Sequence, residues 1–139
     1  MNSRRRNRIY TAFRNEQGQT MTELALVLPV LVLLLFAVIQ FGIAFNNYVT
    51  VTDAARAGAR QAAVSLYGAQ DPVTAADTAA RNSAENLDQD KFDVAVSASP
   101  GWEKGADVTV TTSYPYEISL LGVVVNSGDL TSSTTERIG

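Results

Sequence analysis

The hydrophobic and polar positions divide the chain into three stretches. The first to stand out is 24–45, LALVLPVLVLLLFAVIQFGIAF, which has 22 residues, no charge and a single amide, Gln40. At ~1.5 Å per residue a helix of that length reaches about 33 Å, enough to cross the hydrocarbon core of a bilayer. Pro29 would break such a helix in water but is tolerated as a kink in a membrane helix. A cleaved secretory signal would carry a shorter apolar core, roughly 7–15 residues, ahead of a small-residue cleavage site. This run is longer and Ile43-Ala44-Phe45-Asn46 fits such a site poorly. A retained transmembrane helix, over 19–45, is therefore expected.

Past Phe45 the pattern becomes amphipathic. Val51, Ala55, Gly58, Ala62 and Leu66 recur at three- and four-residue spacing, which predicts that the helix continues to about residue 66. Arg56 and Arg60 share another face, with Asp53 one turn before Arg56. The pairs Ala54/Gly58, Ala55/Ala59 and Ala59/Ala63 are small at four-residue spacing, a pattern that lets another backbone approach closely. That backbone could belong to the chain's own sheet or to a neighbouring subunit. Gly68 to Pro72 is a break, and Asp71-Pro72 reads as the start of a second helix over 73–87, with Val73, Ala76, Ala80, Ala84 and Leu87 on one stripe.

After Asp88 the period changes to two. Phe92, Val94, Val96 and Ala98 alternate with polar or small residues, as do Val108 and Val110, and Pro100–Gly105 supplies a hairpin connection. Pro115 is expected to end the second strand, and LTSSTTERI at 130–138 to form a third. The apolar segment Ile118–Val125 is too short to span a membrane and reads as a core strand, with a loop docked on a partner or on lipid as the alternative. The expected class is α+β: a long N-terminal transmembrane helix runs into a small cap over 46–139, with a short second helix and an antiparallel sheet of about three strands within 91–138.

Charge sharpens this division. The 139-residue chain has a formal net charge of −3, but residues 1–22 hold five Arg against one acid, and residues 46–139 hold six Lys/Arg against twelve Asp/Glu. Short basic flanks mark the cytoplasmic end of a membrane span, so the N-terminus is expected inside and the acidic body outside. The arginines stop at an apolar wall and the body is acidic, which argues against a nucleic-acid partner. No Cys and no His are present, which excludes disulfides, thiolate zinc sites, a cysteine nucleophile and a histidine base. The acids Asp88, Asp90 and Asp93 lack the Gly and Glu that a calcium loop requires at its sixth and twelfth positions. No P-loop or dinucleotide fingerprint occurs. No metal, no cofactor and no enzymatic activity are expected.

Glu23 is the remaining anomaly, because a carboxylate at the mouth of a long apolar helix is costly in lipid. It could lie among headgroups and cap the helix start beside Thr20 or Thr22, where a negative charge is worth about a few tenths of a kcal/mol. The residues before it suggest more. RNEQGQTMTELALVLPVLVLLLFAVIQFG, residues 14–42, resembles the N-terminal signature of the TadE-like family of tight-adherence (Flp-type) pilus systems, whose members are membrane-inserted pseudopilins or minor pilins. The resemblance is close over about the first 45 residues and weaker to about residue 66. It implies a basic leader, 1–18, that a prepilin peptidase removes by cutting between Gly18 and Gln19, so that Glu23 becomes the fifth mature residue. Pro29 and Phe41-Gly42 also match, whereas the family often has an acid where this chain has Gln40.

The resemblance further implies that Glu23 sets register in an assembly, pairing with the new α-amine on Gln19 of a neighbouring subunit. An opposite charge within about 4–6 Å lowers the cost of burying either group. Loss of the leader, with its five Arg and one Glu, would take the side-chain charge from −3 to −7. A long helix under a small α+β cap is also the general plan of pilin-like proteins. The expected partners are then the peptidase, other pilin or pseudopilin subunits, inner-membrane assembly proteins and the lipid bilayer, in a hetero-oligomer at the cytoplasmic membrane. Two other readings remain: a permanently anchored extracytoplasmic binding module, and an exported domain released near residue 45.

Overall fold

A computed structural model describes the backbone of residues 6–139 and the side chains of residues 18–139, so the side chains of the leader arginines expected to set topology lie outside what is described. The elements in chain order are α1 (Arg6–Ser65), α2 (Pro72–Ser83), β1 (Asp93–Ser99), β2 (Asp107–Leu120) and β3 (Val123–Arg137). This is the expected α+β architecture, with two compact units dividing at Ile39/Gln40.

The first unit is the apolar part of α1. Pro29 lies inside the helix. The described side chains of this unit, 18–39, are all exposed, Leu26 to 72% and Val38 to 69%. The second unit is built on a three-stranded antiparallel meander in the order β1-β2-β3. One face of the sheet packs on α1 and α2, and two adjoining clusters form the core. Ala59, Ala62 and Ala76 meet Ala106, Val108, Val110 and Ile138, while Val51, Ala54, Ala80 and Ala84 meet Leu87 and Phe92. The predicted stripe on α1 is the buried one, and Val51, Ala55 and Ala62 are fully enclosed.

Small side chains set the spacing of this core. A Cβ at Gly58 would lie 3.1 Å from the Ala76 carbonyl oxygen, 3.1 Å from Val110 Cγ1 and 3.3 Å from Ala80 Cβ. Glycine thus allows α1 to approach both α2 and β2. The buried hydroxyl of Thr112 donates to the Val51 carbonyl at 2.8 Å, a polar tie between sheet and helix. Such a bond contributes about 1 kcal/mol net.

α2 starts where Asp71-Pro72 predicts. The Asp71 carboxylate accepts from the Thr74 backbone N–H at 3.0 Å, and Pro72 takes the first turn. The helix ends at Ser83, four residues short of the expected end at 87. The reason is a competing side chain: the Gln89 amide donates to the Ala84 and Leu87 carbonyls, and the chain turns through Leu87 N–H to the Ala84 carbonyl. Leu87 still reaches the core. Arg81 braces this corner, gripping Asp77 with its Nε at 3.0 Å, donating through Nη1 to the Gln89 and Phe92 carbonyls, and lying over the Phe92 ring.

Two expectations for the sheet fail together. β2 does not end at Pro115 but runs to Leu120, and Ile118–Val125 is not a core strand. β1 accompanies β2 only as far as Ser113, so at Pro115 one edge of β2 has no neighbour and a missing N–H breaks no bond on that side. β2 and β3 continue past that point as a two-stranded ribbon closed by Leu121-Gly122. The apex is solvent-facing, with Leu121 77% and Val123 67% exposed.

The close approach at residue 58 gives a direct test. Gly58→Leu forces α1 away from α2 and β2, and overpacking of this kind costs about 1–3 kcal/mol. Denaturation of the full chain in detergent, followed through Trp102 fluorescence, should show the cap unfolding at lower denaturant than in the wild type.

Candidate functional site: the N-terminal segment of helix α1

Two features of α1 bear on function: the segment Gly18–Glu23 and the apolar run behind it. Gly18 is helical, and nothing lies within 4 Å of where its Cβ would be. Steric crowding thus gives no reason for glycine here, although a glycine inside a helix costs roughly 1 kcal/mol relative to alanine. What glycine does supply is a backbone that leaves the helical conformation cheaply.

Around it the side chains bond along the helix. Thr22 Oγ1 donates to the Gly18 carbonyl at 2.9 Å, and the Gln19 amide donates to Glu23 Oε1 at 3.1 Å. Gln19 and Glu23 therefore occupy the same helical face, one turn apart, and both are exposed. A contact between neutral amide and carboxylate leaves Glu23 able to accept further donors.

The small residues Ala54, Ala55, Gly58 and Ala59 are brought together, but inside the cap: all four are buried within the chain's own fold. The close approach that their spacing predicts is made to α2 and β2. Asp53 and Arg56 form the expected pair at 3.6 Å, with both side chains largely exposed, so it adds little to stability. Asp88, Asp90 and Asp93 do not converge. Asp88 binds the Asp90 N–H and Lys91 Nζ, while Asp93 opens β1. Among the described residues no group of three or more His, Cys, Asp or Glu could hold a metal ion.

The sequence reading held an exposed 118–125 loop only as its alternative, and missed both the β-hairpin that presents it and the concavity beside it. Phe41, Ala44, Phe45 and Tyr48 of α1 face Tyr116, Ile118, Asn126, Asp129 and Leu130 across a cavity of about 440 Å³. A signal existed in Leu121-Gly122, a two-residue loop ending in Gly between apolar runs. It was obscured because Leu stands where such turns favour Asn or Asp.

Fold and site together define a class: among the described residues, one helix long and apolar enough to cross a membrane, consistent with a single-pass membrane protein, and a small α+β cap. Residues 18–60 match the family model described as TadE-like protein, the family whose N-terminal signature residues 14–42 resemble. The match starts on Gly18 and leaves α2 and the whole sheet outside it. It supports a pilin-like protein associated with a tight-adherence pilus. Comparisons with curated proteins and with solved structures give no match.

The exposed, locally bonded state of Glu23 predicts that the helix does not need it for insertion. Glu23→Ala should remain in the membrane fraction after alkaline carbonate extraction, in the same proportion as the wild type.

Proposed function

We propose that this chain is a minor pseudopilin, a non-enzymatic structural component in the assembly of a tight-adherence pilus or a related secretion apparatus. A prepilin peptidase cuts it after Gly18. The apolar run then holds it in the cytoplasmic membrane, with its N-terminus inside and the acidic cap outside, where it joins other pilin or pseudopilin subunits. The observation that carries this reading is the family match over 18–60, which opens on the residue at the proposed cut.

The local chemistry supports the same sequence of events. A peptidase needs an unwound, extended backbone at the scissile bond, and Gly18 is a residue that gives up helix readily. Removal of 1–18 frees an α-amine on Gln19, whose side chain already faces Glu23 one turn away. Within one chain the helix geometry is occupied by the amide contact. In an assembly, staggered neighbours bring a second chain's amine to Glu23, and the charge pair offsets the cost of burying each ion. Glu23 thereby fixes axial register between helices.

N-terminal sequencing or intact mass of the mature protein tests the processing step. A start at Gln19 with membrane retention is the expected result, and Gly18→Arg should leave the leader in place. A mature start at Met1 would make the chain a permanently anchored protein, and a start near Asn46 a released one. Glu23→Ala should be cleaved and inserted normally yet co-purify poorly with the other pilus components, and normal recovery of the mutant with them removes the register role.

A further inference from the structure

We propose that the β2–β3 ribbon apex, Leu120–Val125, is a second membrane contact that inserts into the lipid interface beside α1. This rests on the reading of α1 as a membrane span.

The argument begins with direction. Along β2, Val108 and Val110 pack with Ala59 and Ala62; Thr112 bonds the Val51 carbonyl; Tyr116 and Ile118 face Tyr48, Phe45 and Phe41. As the strand advances, its partners on α1 move steadily toward the helix N-terminus. Ile118 is thus already level with Phe41–Tyr48, where the apolar run ends at Phe45. Leu121 lies three residues further, which at ~3.3 Å per residue carries it about 10 Å onward in the same direction. Within the second unit that is the direction of Gln40–Phe45, the end of the apolar run that enters this unit.

Composition agrees with that placement. Between Glu117 and Asp129 the ribbon holds no charged residue. Leu121, Val123, Val124 and Val125 are 77%, 67%, 51% and 61% exposed, with no protein surface covering them. An apolar patch left open on a small domain marks an interaction surface. The turn adds an independent sign. Leu121 has φ 51° and Gly122 φ 83°, the two positive values of a type I′ hairpin turn. Asn, Asp or Gly suits the first of these positions, and leucine there is strained and exposed at once. In water a leucine at that point has nothing to recommend it, whereas in the interface its side chain is the part of the ribbon that reaches deepest.

A second copy of the chain could cover the same patch. Lipid is favoured because the apex continues the level already set by Phe41 and Phe45, whose exposed rings close the apolar run.

The absence of native cysteine allows a clean test. The full chain, reconstituted in vesicles of phosphatidylethanolamine and phosphatidylglycerol, carries one environment-sensitive fluorophore at Val124→Cys, Leu33→Cys or Lys104→Cys. Spin-labelled lipids are the quenchers. The Val124 probe should show blue-shifted emission and lose more of it to a headgroup-level quencher than to a deep one. Leu33 should answer to the deep quencher, and Lys104, at the far end of the sheet, to neither. Leu121→Asn, which suits the turn better, should preserve the fold and reduce quenching at Val124. Water-like emission at Val124 with Leu33 quenched overturns the insertion and leaves the span intact. Shielding of Val124 that appears only at high protein-to-lipid ratio overturns it in favour of a second copy. An unquenched Leu33 overturns the span and this inference together.

Discussion

The cap depends on how closely one helix backbone can come to two other elements. At Gly58 the space left for a side chain is bounded at 3.1 Å by a carbonyl of α2 and by a β2 valine, and the neighbouring positions on that face are Ala54, Ala55, Ala59 and Ala62. With so little side-chain volume between layers, Thr112 can reach a helix carbonyl across the core, and the largest fully enclosed residues are only Ile138, Val51, Val108, Val110 and Thr112. The core is thin, so it holds by fit more than by bulk. Arg81 supports the one corner where α2 gives way to β1, by satisfying two carbonyls that the end of the helix and the start of the sheet leave open.

The same helix serves two solvents. From Leu24 to Ile39 every side chain is exposed to the surroundings, which suits lipid, and over the cap one face is closed by protein. The small-residue pattern, which in a membrane protein reads as a surface for another subunit, is consumed within the chain. Among the described residues, what stays exposed is different in kind: a carboxylate at the head of the run and, in the second unit, an apolar ribbon apex.

Much of this was legible from periodicity. The stripe Val51, Ala55, Gly58, Ala62 and the Asp71-Pro72 start are local patterns that tertiary structure had no reason to override. The alternation from Phe92 to Ala98 gave β1 its inner face in the same way. The misses share a cause. Pro115 and Ile118–Val125 were judged by rules that assume a strand with neighbours on both sides, or an apolar segment with a core to enter. Whether β1 would stop at Ser113, leaving β2 and β3 to go on alone, is a matter of relative strand lengths and cannot be read from either strand. The early end of α2 is similar, since it turns on Gln89 folding back from five residues beyond Ala84. For the N-terminal site the residue identities were legible, and the structure added that Gly18 has no steric duty and that Gln19 and Glu23 share a face.

The continuity of α1 has a kinetic consequence. Starting a helix is the slow and unfavourable step, and extending one is easy. The wall of the cap that α1 supplies, Val51 to Ser65, belongs to a helix that already runs through the apolar stretch, so it needs no nucleation event of its own. An alanine-rich surface offers little grip to a partially collapsed chain, and α2 and the meander must find it together. The pairing of Thr112 with Val51, 61 residues apart, and the packing of Ile138 with Ala59 and Ala62 are non-local contacts, the kind that slows folding.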